Sequence, residues 1–218
     1  ANKHLFKSPE EISKAFPEKP MKDSIKNLCR TVLSPILTAK LNLNLADVED
    51  IDKAFKIAVD VKDYVEMIKI SYPMIIRNGP WVIEKIKEIT GLPVLACFKI
   101  ADIPEISKRI MKETIDKDAD AVTLHGFVGR KTLEECIKLA DKFGVETYVV
   151  TEMSHDDADY FLNRELLTQV SERIARVAKE LGATGIVAPA TKPQRVKKFR
   201  EIVEAQGGDP NIRVDDIP

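Results

Sequence analysis

Charged side chains stand where a buried strand gives way to a helix in the run Ala96-Cys97-Phe98-Lys99-Ile100-Ala101-Asp102-Ile103-Pro104-Glu105. An ammonium such as that of Lys99, held out of water, can stabilise a developing negative charge or deliver a proton to it. Leu92 to Phe98 is a short apolar run that predicts a central strand, and Pro104 with Glu105 suits the first turn of a helix. Other predicted strand ends carry polar groups as well: Asp47, Lys69, His125 with Gly126, the run Thr151-Glu152-Met153-Ser154-His155, and Thr191-Lys192-Pro193. One lysine at a strand end is most often a solvated surface residue. Two lysines and two aspartates at C-terminal strand ends converge on one pocket if the strands close into a barrel.

The elements needed to position these groups can be read from the apolar rhythm. From Tyr64 onward, short β-rich runs alternate with amphipathic helical runs, the pattern of parallel βα units. Leu41 to Ala46, Val65 to Ile70, Val94 to Phe98, Ala121 to His125, Val145 to Thr151 and Gly185 to Ala188 are predicted strands. Between them Ile51, Ala54, Phe55 and Ala58 share a helical face, and Pro80 opens and Gly91 closes a helix burying Val82, Ile83, Ile86 and Ile89. Leu133, Cys136, Ile137 and Ala140 form a further stripe ended by Gly144. Leu166, Val170, Ile174, Val177 and Leu181 form the inward side of a longer helix stopped by Gly182.

The fold class is therefore α/β, a (β/α)8 barrel in a single domain spanning residues 1–218. Eight strands are required and the chain runs short at both ends. Cys29 to Ser34 supplies a seventh, whereas Asn211 to Pro218 reads as too polar and short for an eighth. Ser8-Pro9-Glu10-Glu11 reads as a helix start.

Composition narrows the function classes. Thirty-four basic and 35 acidic residues leave a net charge of -1, which gives no nucleic-acid footprint. No apolar run is long enough for a membrane span, and the expectation is a cytoplasmic protein. Cys29, Cys97 and Cys136 are odd in number and widely spaced, which fits reduced thiols better than disulfides or a zinc site. Cys136, on an apolar stripe, reads as core. His125 reads either as a group polarising a substrate or, more commonly, as a packed, hydrogen-bonded side chain. Trp81 reads as core or interface, and Lys197, Lys198 and Arg200 as a solvated helix face.

Six stretches in order resemble archaeal orotidine 5'-monophosphate decarboxylase. They are Ile68 to Pro73, Lys99 to Pro104, Leu124-His125-Gly126, Thr151 to His155, Ala188 to Pro193 and Ala205-Gln206-Gly207-Gly208-Asp209-Pro210. The resemblance implies decarboxylation of orotidine 5'-monophosphate (OMP) to uridine 5'-monophosphate (UMP) in pyrimidine biosynthesis, with no cofactor and no metal, by a homodimer of barrels. It implies that Asp47 and Lys69 end the first two strands of an alternating aspartate–lysine array. Lys99 would be the acid that protonates C6 as carbon dioxide leaves, and Asp102 would come across the dimer interface. Ser154 would contact the pyrimidine and Gln206 would bridge base and phosphate, with Gly207, Pro193 and His125 completing the substrate-binding set.

Two departures follow from the same resemblance. The family has aspartate where this chain has Cys97, and a buried thiol is uncharged at neutral pH unless activated. Lys99 thereby loses an ion-pair partner, and turnover is expected to be reduced. The family also places a strand ending Ser-Pro-Gly before the Gln-Gly-Gly turn, and a later Val-Gly-Arg whose arginine grips phosphate. Here Phe199 to Val203 runs directly into Ala205-Gln206, so the seventh and eighth βα units are displaced or incomplete. Sugar-phosphate lyases or decarboxylases that share the Asp-x-Lys-x-x-Asp theme but use magnesium are the related alternative. A weak nucleotide-binding relic is the non-enzymatic one.

Overall fold

The computed structural model describes residues 42–45, 48–155, 157–205 and 212–215. Among the described residues seven strands form one parallel sheet: β1 (Asn42–Asn44), β2 (Met67–Ser71), β3 (Val94–Ile100), β4 (Ala121–His125), β5 (Glu146–Val150), β6 (Gly185–Pro189) and β7 (Ile212–Asp215). Their order in space is their order in the chain, and every pairing is parallel. The helices between them are α1 (Ile51–Val61), α2 (Tyr72–Asn78), α3 (Trp81–Thr90), α4 (Pro104–Ile115), α5 (Arg130–Phe143), α6 (Arg164–Glu180) and α7 (Pro193–Ala205). This is the architecture of a TIM (β/α)8 barrel whose last two βα units are displaced or incomplete in this sequence.

The alternation of side chains along each strand sorts the core into two layers. Ile68, Ile70, Val94, Ala96, Val122, Leu124, Val149, Ile186 and Ala188 pack against the helices. Met67, Leu95, Ala121, Tyr148, Val150 and Val187 form a second cluster on the opposite, inner face. Helix α3 shows how the sequence builds the outer layer: Val82, Ile83 and Ile86 recur at helical spacing and are fully buried. Each contributes about 1.5–3 kcal/mol of apolar burial. Gly91, left-handed at φ 70°, ends the helix by donating its N–H to the Lys87 carbonyl.

Several expectations require correction. The segment judged too polar for a strand forms β7, which pairs with β6 from Ile186↔Ile212 to Pro189↔Asp215. Backbone pairing along an existing edge suffices there without an apolar run. On α6 the buried positions are Ser171, Ile174, Ala175 and Ala178, while Val170, Val177 and Leu181 are only partly buried and Leu166 is exposed. Small residues let the helix sit close to the sheet, and its first turn carries Leu166 past the core. Helix α2 starts directly after β2, with Pro73 in its first turn, and was not anticipated. Asp47, Gln206 and Gly207, the Cys29–Ser34 strand and the Ser8 helix start lie outside the described residues.

Candidate active site

The end of β3 departs from regular strand geometry. Opposite β4, Ala96 pairs with Val122 and Ile100 with Leu124, so Cys97, Phe98 and Lys99 face the single residue Thr123. This bulge interrupts the ladder and turns the strand end. Lys99 takes a left-handed backbone at φ 44°, a conformation that costs a residue with a Cβ of order 1–3 kcal/mol. The N–H that the broken ladder would strand is received by the buried Thr123 hydroxyl, with the Lys99 nitrogen 2.7 Å from Oγ1.

The bulge sends the Lys99 amine back toward the barrel interior. Its Nζ donates to Sγ of Cys97 at 3.5 Å, and Cys97 is buried. Lys69, on the adjacent strand, is also buried at 8 % exposure. By alternation it shares the inner face with Met67, and Cys97 shares that face with Leu95, which pairs with Lys69. The structure thus brings Lys69, Cys97 and Lys99 together on one wall. Asp102 is exposed beyond the strand; its Oδ1 accepts from the Ile103 amide at 2.7 Å, and its backbone carbonyl accepts from the Ser107 hydroxyl at 2.9 Å. Within one chain it faces solvent rather than Lys99.

Three neighbours complete this side of the mouth. Tyr72 stacks on Phe98 with ring centroids 4.9 Å apart, and burial first, then its electrostatic interaction with Cys97, pushes its hydroxyl pKa up. His125 ends β4 on the inner face. Burial, and then the nearby Lys99 charge, lower its pKa to about 4, so the imidazole is neutral at pH 7. Its ring lies 4.0 Å from that of Phe127, and its buried Nδ1 has no hydrogen-bond partner among the described residues. The hydrogen bond expected of a packed His125 is not seen at Nδ1 among the described residues. Gly126 follows because there is no room for a side chain: a Cβ would come within 2.2 Å of Ile174 Cγ2 and 2.8 Å of the Val150 carbonyl oxygen.

The ends of β5 and β6 are organised differently. Thr151 is tied to β6 through its N–H and hydroxyl, both donating to the Val187 carbonyl at 3.2 and 2.9 Å. Ser154 is half-buried in the loop beyond, and its carbonyl accepts from the Thr191 hydroxyl at 3.3 Å. Pro193 is exposed at the first position of α7. Glu152 is buried and paired with Arg195 at 3.2 Å and Lys192 at 3.8 Å. Sequence reasoning overlooked this pairing with Arg195, whose only local signal was a basic residue on the same α7 register as the buried Phe199. Cys136 is core as expected, fully buried with its thiol pKa raised to about 11 chiefly by burial. Trp81 is half-exposed, its indole N–H donating to the Asn78 carbonyl and its ring meeting Phe55 edge-on. Among the described residues no group of three or more His, Cys, Asp or Glu could hold a metal ion, and no helix is long and apolar enough to cross a membrane.

Known proteins resemble this chain in sequence and fold. Residues 44–211 match the Orotidine 5'-phosphate decarboxylase / HUMPS family. The orotidine 5'-phosphate decarboxylase of Methanococcoides burtonii is 43% identical over 157 residues, 72% of this chain and 70% of that protein. That of Methanocaldococcus jannaschii is 40% identical over 187 residues, 82% of this chain and 83% of its own length. The crystal structure of orotidine 5'-monophosphate decarboxylase from Methanocaldococcus jannaschii complexed with inhibitor BMP superposes with a TM-score of 0.71 at 38% identity, covering 80% of this chain and 87% of that one. With a barrel mouth that carries Lys69 and Lys99 at successive strand ends, this chain belongs to the Orotidine 5'-phosphate decarboxylase / HUMPS family.

Proposed function

We infer that this chain is a carboxy-lyase that converts OMP to UMP, a step of pyrimidine biosynthesis, and that it works through Lys99 in the mouth of a single barrel domain. The observation that supports this most directly is the inward Lys99 amine, held by a strained bulge beside buried Cys97 and Lys69. Loss of carbon dioxide leaves an electron pair on C6 of the pyrimidine. An ammonium fixed at that carbon in a water-poor pocket stabilises the pair and then transfers its proton to form the C6–H bond. Lys69 and Asp47 extend the charge array, Asp102 enters from a second copy, and Ser154, Gln206, Gly207, Pro193 and His125 bind substrate.

Homodimerisation is supported by the exposed Asp102 and by Ile103, 62% exposed beside it, with Phe127 exposed on the next strand end. A cytoplasmic setting is supported by the free thiols of Cys97 and Cys136. The thiol at position 97 lowers turnover, because it places no fixed anion against Lys99 and the departing carboxylate.

The test compares this chain with a Cys97→Asp variant, using OMP decarboxylation and UMP binding by calorimetry. The variant is expected to turn over at least about tenfold faster, since removing one electrostatic partner of a transition state commonly costs that much or more. UMP binding without turnover in either protein supports the nucleotide-binding relic. Absence of UMP binding, or turnover of a sugar phosphate that chelation abolishes, rules the decarboxylase reading out.

A further inference from the structure

We propose that Arg195 is a positioning residue that fixes the Thr151–His155 turn, and with it Ser154, by holding the buried carboxylate of Glu152. The inference uses the decarboxylase reading only for the role of Ser154. Glu152 sits just past the end of β5 with a side chain 2% exposed, a place where a carboxylate is costly unless it is fully paired. Its Oε2 accepts from Nε of Arg195 at 3.3 Å and from Nη2 at 3.2 Å. The same Nη2 donates to Ser171 Oγ at 2.7 Å, and Nη1 donates to Glu172 Oε1 at 3.3 Å. The guanidinium also lies 4.6 Å over the Phe199 ring.

One planar cation therefore joins the end of β5, the middle of α6 and the start of α7. Lysine has no such fork, and one ammonium on a flexible stem cannot reproduce donors aimed at three groups in fixed directions. The turn is fastened at a second point too, where Thr191 donates to the Ser154 carbonyl. Lys192, beside Thr191, reaches Oε1 of the same Glu152 at 3.8 Å. The root of the turn is thus tied to the start of α7 through Glu152, and its tip is tied to the residues just before α7 through the Ser154 carbonyl. A salt bridge that served general stability would have no particular hold on the turn. This one joins the two elements that flank the turn, only two residues from Ser154.

The experiment measures amide hydrogen exchange by mass spectrometry, together with OMP kinetics, in the parent chain, Arg195→Lys, Arg195→Ala and Glu152→Gln. In Arg195→Lys the 151–155 amides are expected to exchange about tenfold faster while β2 to β4 keep their rates, the mark of local rather than global opening. kcat/KM is expected to fall about tenfold in the parent background but less than about twofold when Ser154→Ala is already present, because two changes acting through one contact are not additive. Unchanged exchange in the turn, equal acceleration throughout the chain, or an additive loss in the Ser154→Ala background overturns the proposal. Should Arg195→Ala fail to fold, the lysine variant and Glu152→Gln carry the test. A parent chain inactive on OMP would defeat the decarboxylase reading, while the exchange comparison still decides whether Arg195 fixes the turn.

Discussion

The ends of β3 and β5 lie at the same mouth and are built on opposite plans. At β3 the backbone is strained, the Lys99 amine has a thiol as its hydrogen-bond partner, and a second lysine is buried on the adjacent strand. At β5 the backbone is regular, and the buried charge, Glu152, is matched by two cations. A lysine amine carried toward the barrel interior on a strained strand end can meet charge that develops on a bound molecule, whereas a buried carboxylate bridged by two cations is already committed to its partners. The first arrangement therefore suits reaction and the second suits support.

The largest effect that tests this contrast is expected at Lys99. Lys99→Ala should reduce OMP turnover by at least about a hundredfold, the range for loss of a positioned proton donor, while leaving UMP binding measurable. A smaller loss than Arg195→Lys produces would invert the assignment of the two ends. Next comes Gly126→Ala, which puts a methyl group into Ile174 and a backbone carbonyl. It should lower the free energy of unfolding in urea by about 1–3 kcal/mol, the usual cost of overpacking.

Protonation of His125 gives an effect of comparable or smaller size. Its folded pKa of about 4 lies below the unfolded value near 6.5, so the unfolded chain binds the proton first. Stability should therefore be intact above about pH 6.5 and decline as pH falls toward 4, by up to about 2 kcal/mol after allowance for partial exposure. Thermal unfolding from pH 7 to pH 4 checks this, and His125→Asn should flatten that part of the profile. The smallest expected effect is at Thr123→Val, which strands the Lys99 N–H and should cost about 1 kcal/mol in stability. If that variant also lowers kcat, the bulge is part of the reacting assembly.

Much of this architecture was legible before any coordinates. The five strands β2 to β6 announced themselves because each is a short apolar run between polar or glycine-bounded segments, the requirement of a strand buried on both faces. Lys69 and Lys99 could be placed on strands for the same reason, although a lysine at a strand end reads more often as a solvated surface residue. What escaped reading was nonlocal. The bulge at Cys97 to Lys99 exists only through its register with Thr123, and the Arg195–Glu152 pair joins residues 43 apart in the chain. β7 was dismissed on polarity, although its backbone is held by β6. The reading of α6 from its large apolar residues gave a face displaced toward Leu166, because Ser171, Ala175 and Ala178 carry little hydrophobic signal.

The strictly consecutive strand order has a consequence for how the molecule is made. Each strand's partner is the one synthesised just before it, so a nascent chain leaving the ribosome can add βα units in turn onto a template already in place. Assembly of that kind needs only modest loop closure at every step and little searching among distant segments. The lysine wall would then be in place before the Glu152 clamp is translated.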